Sequence, residues 1–179
     1  MTRLILLDRD GIINHDSFHY IKSVDEFILI PGSVEAIARL TRAGYKIGVA
    51  TNQSGVTRGL YTEETLQAIH NKMLSLVQKA GGQIDAIEYC LHHPRDKCLC
   101  RKPHPAMLFA LAKRLNGSLK HAPFVGDRVS DIQAALAAGA EPVMILSSMT
   151  DLIGLKAYPH VPIFHSLAEY VDQLLAQQS

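Results

Sequence analysis

The sequence predicts an α/β fold: a doubly wound, mostly parallel sheet covered by helices on both faces, giving three layers. Three observations carry that expectation. Apolar, β-branched runs of strand length alternate with helix-period segments along all 179 residues, and this alternation implies βαβ units. Polar, chemistry-bearing residues stand where successive strands run out, as in open α/β sheets that bind ligands beyond the carboxyl ends of their strands. No Ser/Gly-rich linker, internal repeat or low-complexity segment interrupts the pattern, so one domain spanning 1–179 is expected. A chain of this length, 47% hydrophobic, can bury a full core without staples.

The elements follow in order. "RLILLD" reads as the first strand, and "SVEAIARLTRAG" as a helix with apolar spacing at Val34, Ile37, Ala38 and Leu40 and a stop at Gly44. "YKIGVATN" is the second strand. "YTEETLQAIHNKMLSLVQKAGG" is a helix with Thr62 as N-cap, acids in its first turn and a Gly-Gly stop, and "QIDAIEYC" is the third strand. "HPAMLFALAKRLNG" is the next helix. "APFVGD" is a buried strand, "SDIQAALAAGA" a short helix capped by Ser130 and stopped at Gly139, and "EPVMIL" the fifth strand. The last helix opens at "SLAE", with Ser166 and Glu169 in capping-box spacing.

Charge narrows the function classes. The net charge of +1 comes from 18 basic and 17 acidic residues interspersed along the chain, with no polybasic tract, so neither nucleic acid nor a membrane surface is expected as a partner. The apolar start at Leu4–Leu7 is too short for a signal or spanning segment, and the expectation is a cytoplasmic protein acting as a monomer. The three cysteines, Cys90, Cys98 and Cys100, are an odd number in one short window, which argues against a disulfide framework.

At the strand ends stand Asp8 and Asp10, then Thr51 and Asn52, then Cys90 and His92, then Asp127. Taken singly, "DRDG" is a turn, "TNQSG" a polar loop and "GDRVSD" a helix start. Their joint order on successive strands tips the balance. Together, "DRDG", "TN", Lys102 and "GDRVSD" resemble the four motifs of the haloacid dehalogenase (HAD) superfamily of phosphotransferases, over nearly the whole chain. The resemblance implies that Asp8 is the nucleophile that becomes an aspartyl phosphate, and that Asp10 protonates the leaving oxygen and later deprotonates water. It places Mg²⁺ on Asp8, the backbone carbonyl of Asp10, and Asp127, and gives Thr51 and Lys102 the equatorial phosphate oxygens. The chemistry is coherent on its own terms. A carboxylate attacks a phosphate dianion only if the combined charge is offset by a cation and fixed donors, and Mg²⁺ is a hard, oxygen-seeking ion. Asp131 can orient Lys102 or the metal waters, or serve the helix dipole alone. Ile12 stands where the family usually has Thr.

The window "CLHHPRDKCLC" holds every cysteine. Cys90-x-His92, five residues, then Cys98-x-Cys100 offers four soft or borderline ligands, the pattern of a tetrahedral structural Zn²⁺ site in a loop spanning 90–100. His93 is an alternative to His92. The loop leads directly into Arg101 and Lys102, so a metal there would fix both cations.

The gaps between the motifs leave no room for a cap domain, so short loops must select the substrate. With that zinc loop, "DRDGIIN", "TNQSGVTRG" and "CRKPHPAML" look like the family of D-glycero-D-manno-heptose-1,7-bisphosphate 7-phosphatases. That implies a small sugar bisphosphate as substrate. The loop "NHDSFHY" keeps Asp16 and Tyr20 of that family's pattern, lacks its Gly and is one residue longer. Arg58 and Arg101 are candidates for the second phosphate, since guanidinium forks match phosphate oxygens. Asn52, Gln53, Ser54 and Arg128 are further candidate substrate contacts. Two other readings stand beside this one. A histidinol-phosphate phosphatase would need an acidic partner for the amine, such as Asp16 or Glu26. A non-catalytic zinc-bearing binding module is disfavoured by the complete motif set.

Overall fold

A computed structural model describes residues 2–178. Its elements run β1 (Arg3–Leu7), α1 (Ser33–Arg42), β2 (Tyr45–Asn52), α2 (Glu63–Lys79), β3 (Ala86–Cys90), α3 (Ala106–Arg114), β4 (Pro123–Gly126), α4 (Val129–Ala138), β5 (Glu141–Ile145), β6 (Ile163–Phe164) and α5 (Leu167–Ala176). The six strands form one sheet in the order β3-β2-β1-β4-β5-β6, and every pairing is parallel. The expected α/β class and its five helices are present. The sixth strand was not expected.

Alternation along β1 shows why the sheet carries helices on both sides. Ile5 and Leu7 point into one core with residues of α1, α2 and α5, including Ile37, Leu40, Ile69, Met73 and Val171. Leu4 and Leu6 point into the opposite core with Leu108 and Leu111 of α3 and Ala134 and Ala135 of α4. A strand buried on both faces belongs at the centre of a parallel sheet, and β1 lies there between β2 and β4.

The helix ends follow local chemistry. Thr62 caps α2 by accepting the Thr65 N–H, and Ser166 caps α5 by accepting the Glu169 N–H at 3.0 Å. The expected Ser130 cap is corrected. The Asp131 carboxylate accepts the Arg128 N–H at 3.1 Å, so Arg128 is the N-cap and α4 begins at Val129.

The sheet order reverses between β1 and β4, which opens a crevice at their carboxyl ends. Between β1 and β2 the chain contains one long loop and α1, and between β2 and β3 one loop and α2, so no cap is inserted at either place. The first loop is anchored from below: Lys72 of α2 donates to the carbonyls of Val24 and Phe27 at 2.7 and 2.9 Å. Ile12 and Ile13 sit in the core, and the Ile12 carbonyl accepts the Ser33 hydroxyl at 2.7 Å. Among the described residues no helix is long and apolar enough to cross a membrane.

Candidate active site

The carboxyl end of β1 delivers Asp8, and that of β4 delivers Asp127. Lys102 arrives on the loop after β3, held by Asn52 at the end of β2. The Asn52 side chain accepts the Lys102 N–H at 3.0 Å and donates to the Lys102 carbonyl at 3.2 Å. Its amide is therefore occupied in placing the lysine.

Lys102 is buried and binds three oxygens. Its Nζ lies 3.0 Å from Asp8 Oδ1 and 2.8 Å from Asp131 Oδ1, and it donates to the Ala50 carbonyl at 2.9 Å. Asp131 serves both Lys102 and the helix start: one of its oxygens meets the ammonium and the other accepts the Arg128 N–H at the N-terminus of α4. Asp8 Oδ1 also accepts the Arg9 N–H at 2.8 Å.

Asp8, Asp127 and Asp131 each offer a carboxylate oxygen, all within 4.8 Å of one another. One ammonium does not balance three buried carboxylates. Burial, then the Asp131 charge, pushes the Asp8 carboxyl well above its ordinary range, with Lys102 opposing. Burial, again with Asp131, pushes Asp127 up to about 7. Asp127 Oδ1 is moreover buried with no hydrogen-bond partner. A buried, unpartnered carboxylate oxygen beside two more carboxylates is the donor set of a hard cation, and Mg²⁺ fits it.

Asp10 is held differently. Its Oδ1 accepts Arg9 Nε at 3.1 Å, Arg9 Nη2 at 2.7 Å and Asn14 Nδ2 at 2.9 Å, while Oδ2 accepts Gln53 Nε2 at 3.0 Å. Burial would raise its proton affinity, but the Arg9 charge and these hydrogen bonds outweigh it and hold Asp10 below the ordinary carboxylate value. Arg9 itself is fully buried, lies over the Phe27 ring and contacts His70 Nε2 at 3.1 Å. Burial first, and then the Arg9 charge, pushes His70 down to about 3, so its ring is neutral and Nε2 accepts from the guanidinium. Gln53 Nε2 also donates to Thr51 Oγ1 at 2.9 Å, and Gln53 Oε1 accepts the Tyr61 hydroxyl at 2.5 Å. Gln53, expected to touch substrate, spends its amide orienting Asp10 and Thr51. Arg9 lies outside the candidates the sequence suggested.

Above these groups is a pocket of about 460 Å³ lined by Asp8, Asp10, Asn52, Gln53 and Lys102 at its base and by Asp16, Tyr20, Ser54, Arg58, Arg101 and Arg128 around it. Thr51 and Asp127 lie beneath, fully buried. Asp16 pairs with Arg128 at 3.0 Å, Arg58 lies over the Tyr20 ring, and Ser54 Oγ accepts Arg58 Nε at 3.4 Å. Arg101 Nη1 is buried with no partner. A larger cavity of about 840 Å³ opens at the amino-terminal edge of the sheet, against Arg3, Tyr45 and Pro123, and contains none of the candidate residues.

The cysteine window also converges. Cys90 Sγ lies 3.4 Å from His92 Nδ1, 3.7 Å from Cys98 Sγ and 2.8 Å from Cys100 Sγ, and His92 Nδ1 lies 3.1 Å from Cys100 Sγ. Metal–sulfur bonds of about 2.3 Å in a tetrahedron set ligand atoms roughly 3.4–3.8 Å apart. The separations from Cys90 to His92 and Cys98 match that spacing, the two to Cys100 are shorter, and all four donors lie within 4.8 Å of one another, close enough to hold one metal ion. His93 faces away, accepting the Arg95 N–H at 3.0 Å. The loop is tied to the base of the pocket: Gln53 N–H donates to the Cys90 carbonyl at 2.8 Å and Thr57 Oγ1 to the Leu91 carbonyl at 2.7 Å.

Comparison with known proteins agrees with this arrangement. A profile of the haloacid dehalogenase-like hydrolase family matches residues 3–139. A D-glycero-β-D-manno-heptose-1,7-bisphosphate 7-phosphatase of Pseudomonas putida is 45% identical over 97% of this chain and 99% of its own. A protein of the same name from Pseudomonas aeruginosa is 49% identical over 96% of this chain and 97% of its own. The crystal structure of D,D-heptose 1,7-bisphosphate phosphatase from B. bronchiseptica, complexed with magnesium and phosphate, superposes with a TM-score of 0.90 at 43% identity, covering 98% of this chain and 99% of that one.

Proposed function

The chain belongs to the haloacid dehalogenase-like hydrolase family, and from that premise we propose that it releases the 7-phosphate of D-glycero-β-D-manno-heptose 1,7-bisphosphate through an aspartyl phosphate on Asp8. The relatives' names and the magnesium and phosphate in the B. bronchiseptica structure support this reading. Asp8 and Asp127, with the Asp10 carbonyl, would hold Mg²⁺. When bound, the ion offsets the phosphate charge that would otherwise repel the attacking carboxylate.

The protein's own groups do the rest. Lys102 and the Arg9 amide both meet Asp8 Oδ1 and so fix the orientation of the carboxylate that attacks phosphorus. Lys102 and the Thr51 hydroxyl take equatorial phosphate oxygens. Asp10 Oδ1 is saturated by three donors, so its proton travels on Oδ2. The free protein holds Asp10 ionised, and the negative charge of an arriving phosphate raises its proton affinity for the first transfer. After the alkoxide leaves protonated, the ionised Asp10 accepts a proton from the water that hydrolyses the intermediate.

The observation that carries the choice of a bisphosphate is Arg101, whose buried Nη1 lacks an acceptor beside the pocket. A second phosphate supplies one. The amine of histidinol phosphate would need a free carboxylate instead. Asp16 is paired with Arg128, and Glu26 with Lys22 at 3.3 Å. A phosphate-release panel tests the reading, with heptose 1,7-bisphosphate expected to exceed both fructose 1,6-bisphosphate and histidinol phosphate in kcat/KM. A preference for histidinol phosphate would overturn it.

We also propose that Cys90, His92, Cys98 and Cys100 hold a structural Zn²⁺ that orders the approach to Arg101 and Lys102. Protein purified without chelator is expected to contain about one zinc per chain by elemental analysis. Cys100→Ser is expected to lose that zinc, melt at lower temperature and turn over more slowly. Wild-type protein free of zinc would remove the claim.

A further inference from the structure

β5 ends at Ile145, and the chain then turns through Ser147–Thr150 beside Asp127. Ser147 Oγ donates to Asp127 Oδ2 at 2.7 Å, and Thr150 Oγ1 donates to the Asp127 carbonyl, also at 2.7 Å. The turn ties itself together. The Ser147 N–H donates to Thr150 Oγ1 at 3.0 Å, and the Met149 N–H to Ser147 Oγ at 3.1 Å. Each hydroxyl thus accepts from a backbone amide and spends its single proton on Asp127.

The other side of Asp127 is equally constrained. Gly11 has φ +84°, and a Cβ there would stand 2.1 Å from Asp127 Oδ2. That oxygen is wedged between a glycine and a serine hydroxyl, whereas Oδ1 is buried and unpartnered. We infer that Ser147 and Thr150 are positioning residues for Asp127: they pin Oδ2 and the main chain so that Oδ1 alone is presented to a cation. The inference rests on the reading of Asp127 as a Mg²⁺ ligand. It gives Ser147 no contact with substrate. The cost of losing such a partner falls on metal affinity, since a carboxylate released from its hydrogen bond must be reordered each time the ion binds. Outer hydrogen-bonding partners of metal ligands are worth about 10–100-fold in affinity or activity.

The test is calorimetric titration of Mg²⁺ into Mg²⁺-free protein with its zinc retained, for wild type, Ser147→Ala, Ser147→Thr, Thr150→Val and Asp127→Asn. Ser147→Ala is expected to weaken Mg²⁺ binding by about 10-fold, with kcat at saturating Mg²⁺ largely kept, and Ser147→Thr to restore it. Thr150→Val, which keeps the side-chain shape, is expected to weaken binding by a smaller factor and provides the test if Ser147→Ala folds poorly. A merely structural turn would lower the melting temperature and leave Mg²⁺ affinity alone. Affinities of Ser147→Ala and Thr150→Val within twofold of wild type, with Asp127→Asn unable to bind, would overturn the inference and leave the ligand assignment standing. Unchanged binding by Asp127→Asn would overturn the assignment itself, and the inference with it.

Discussion

Asp8→Asn is expected to lower phosphate release by at least about 10⁴-fold, the scale of losing a covalent nucleophile, while raising the melting temperature at pH 7. Asparagine keeps the shape of Asp8 and an oxygen for Lys102 and the Arg9 amide, so the pocket survives and the attacking carboxylate does not. The stability gain comes from burial. Burial and the Asp131 charge push the Asp8 proton affinity up, with Lys102 opposing and Asp127 and Asp10 adding to it. An acid whose folded pKa is raised binds its proton more tightly in the folded protein. Its favourable contribution therefore declines as pH climbs from the ordinary value of 3.8 through the folded value, and the ionised group weighs against folding at pH 7. Asparagine does not titrate. Calorimetric melts in Mg²⁺-free buffer should show the variant above wild type at pH 7, with the gap narrowing towards pH 4. Turnover within 100-fold of wild type would sink the nucleophile assignment, and a lower melting temperature at pH 7 would sink the electrostatic account.

The same residues show what the sequence could and could not convey. The meeting of Asp8, Thr51 and Asp127 was legible because each stands at the carboxyl end of a strand, and parallel strands deliver those ends to one edge of the sheet, whereas Lys102 comes from the loop after β3 and was marked by the family motif. The clustering of Cys90, His92, Cys98 and Cys100 was legible because these four side chains are close in the chain. β6 was not: Ile163–Phe164 is two residues long, too short to show either alternation or an apolar run. Arg9 was overlooked because, although its ion-pair partner Asp10 is the next residue, the other groups that enclose it are distant. His70 is 61 positions away on α2, and nothing periodic announces that a guanidinium between two acids will be wholly buried. Gln53 looked like a substrate contact because it follows a motif strand, yet Tyr61 and Asp10 take both ends of its amide. Ser147 marks a different gap. The strand-end rule, carried on to β5, points directly at its "SS" pair, and only the geometry shows that the hydroxyl serves Asp127.

Lys102→Met is expected to lower activity and stability together, because Lys102 carries both the chemistry and the charge balance of the site. Burial would lower its proton affinity, but Asp131 and Asp8 outweigh burial and push it up. A lysine with a raised folded pKa contributes its full stabilisation below the ordinary value of 10.5 and loses it only as pH rises through the folded value, so all of it is at stake at pH 7. Methionine fills the stem's volume and leaves Asp8 and Asp131 buried without their cation. Breaking a buried ion pair from one side costs about 3–5 kcal/mol, to be read from urea unfolding in Mg²⁺-free buffer. Phosphate release should fall about 10³-fold, the scale of losing one preorganised charge at the transition state. An Asp131→Asn background separates the two roles. Removing one of the stranded carboxylates should lower the stability cost of Lys102→Met by about 1–3 kcal/mol, the coupling usual for groups in direct contact. It should recover no activity, because the cation facing the phosphate is still missing. An equal stability cost in both backgrounds would show that Asp131 is not the lysine's partner. Recovered activity in the double variant would show that Lys102 serves the fold alone.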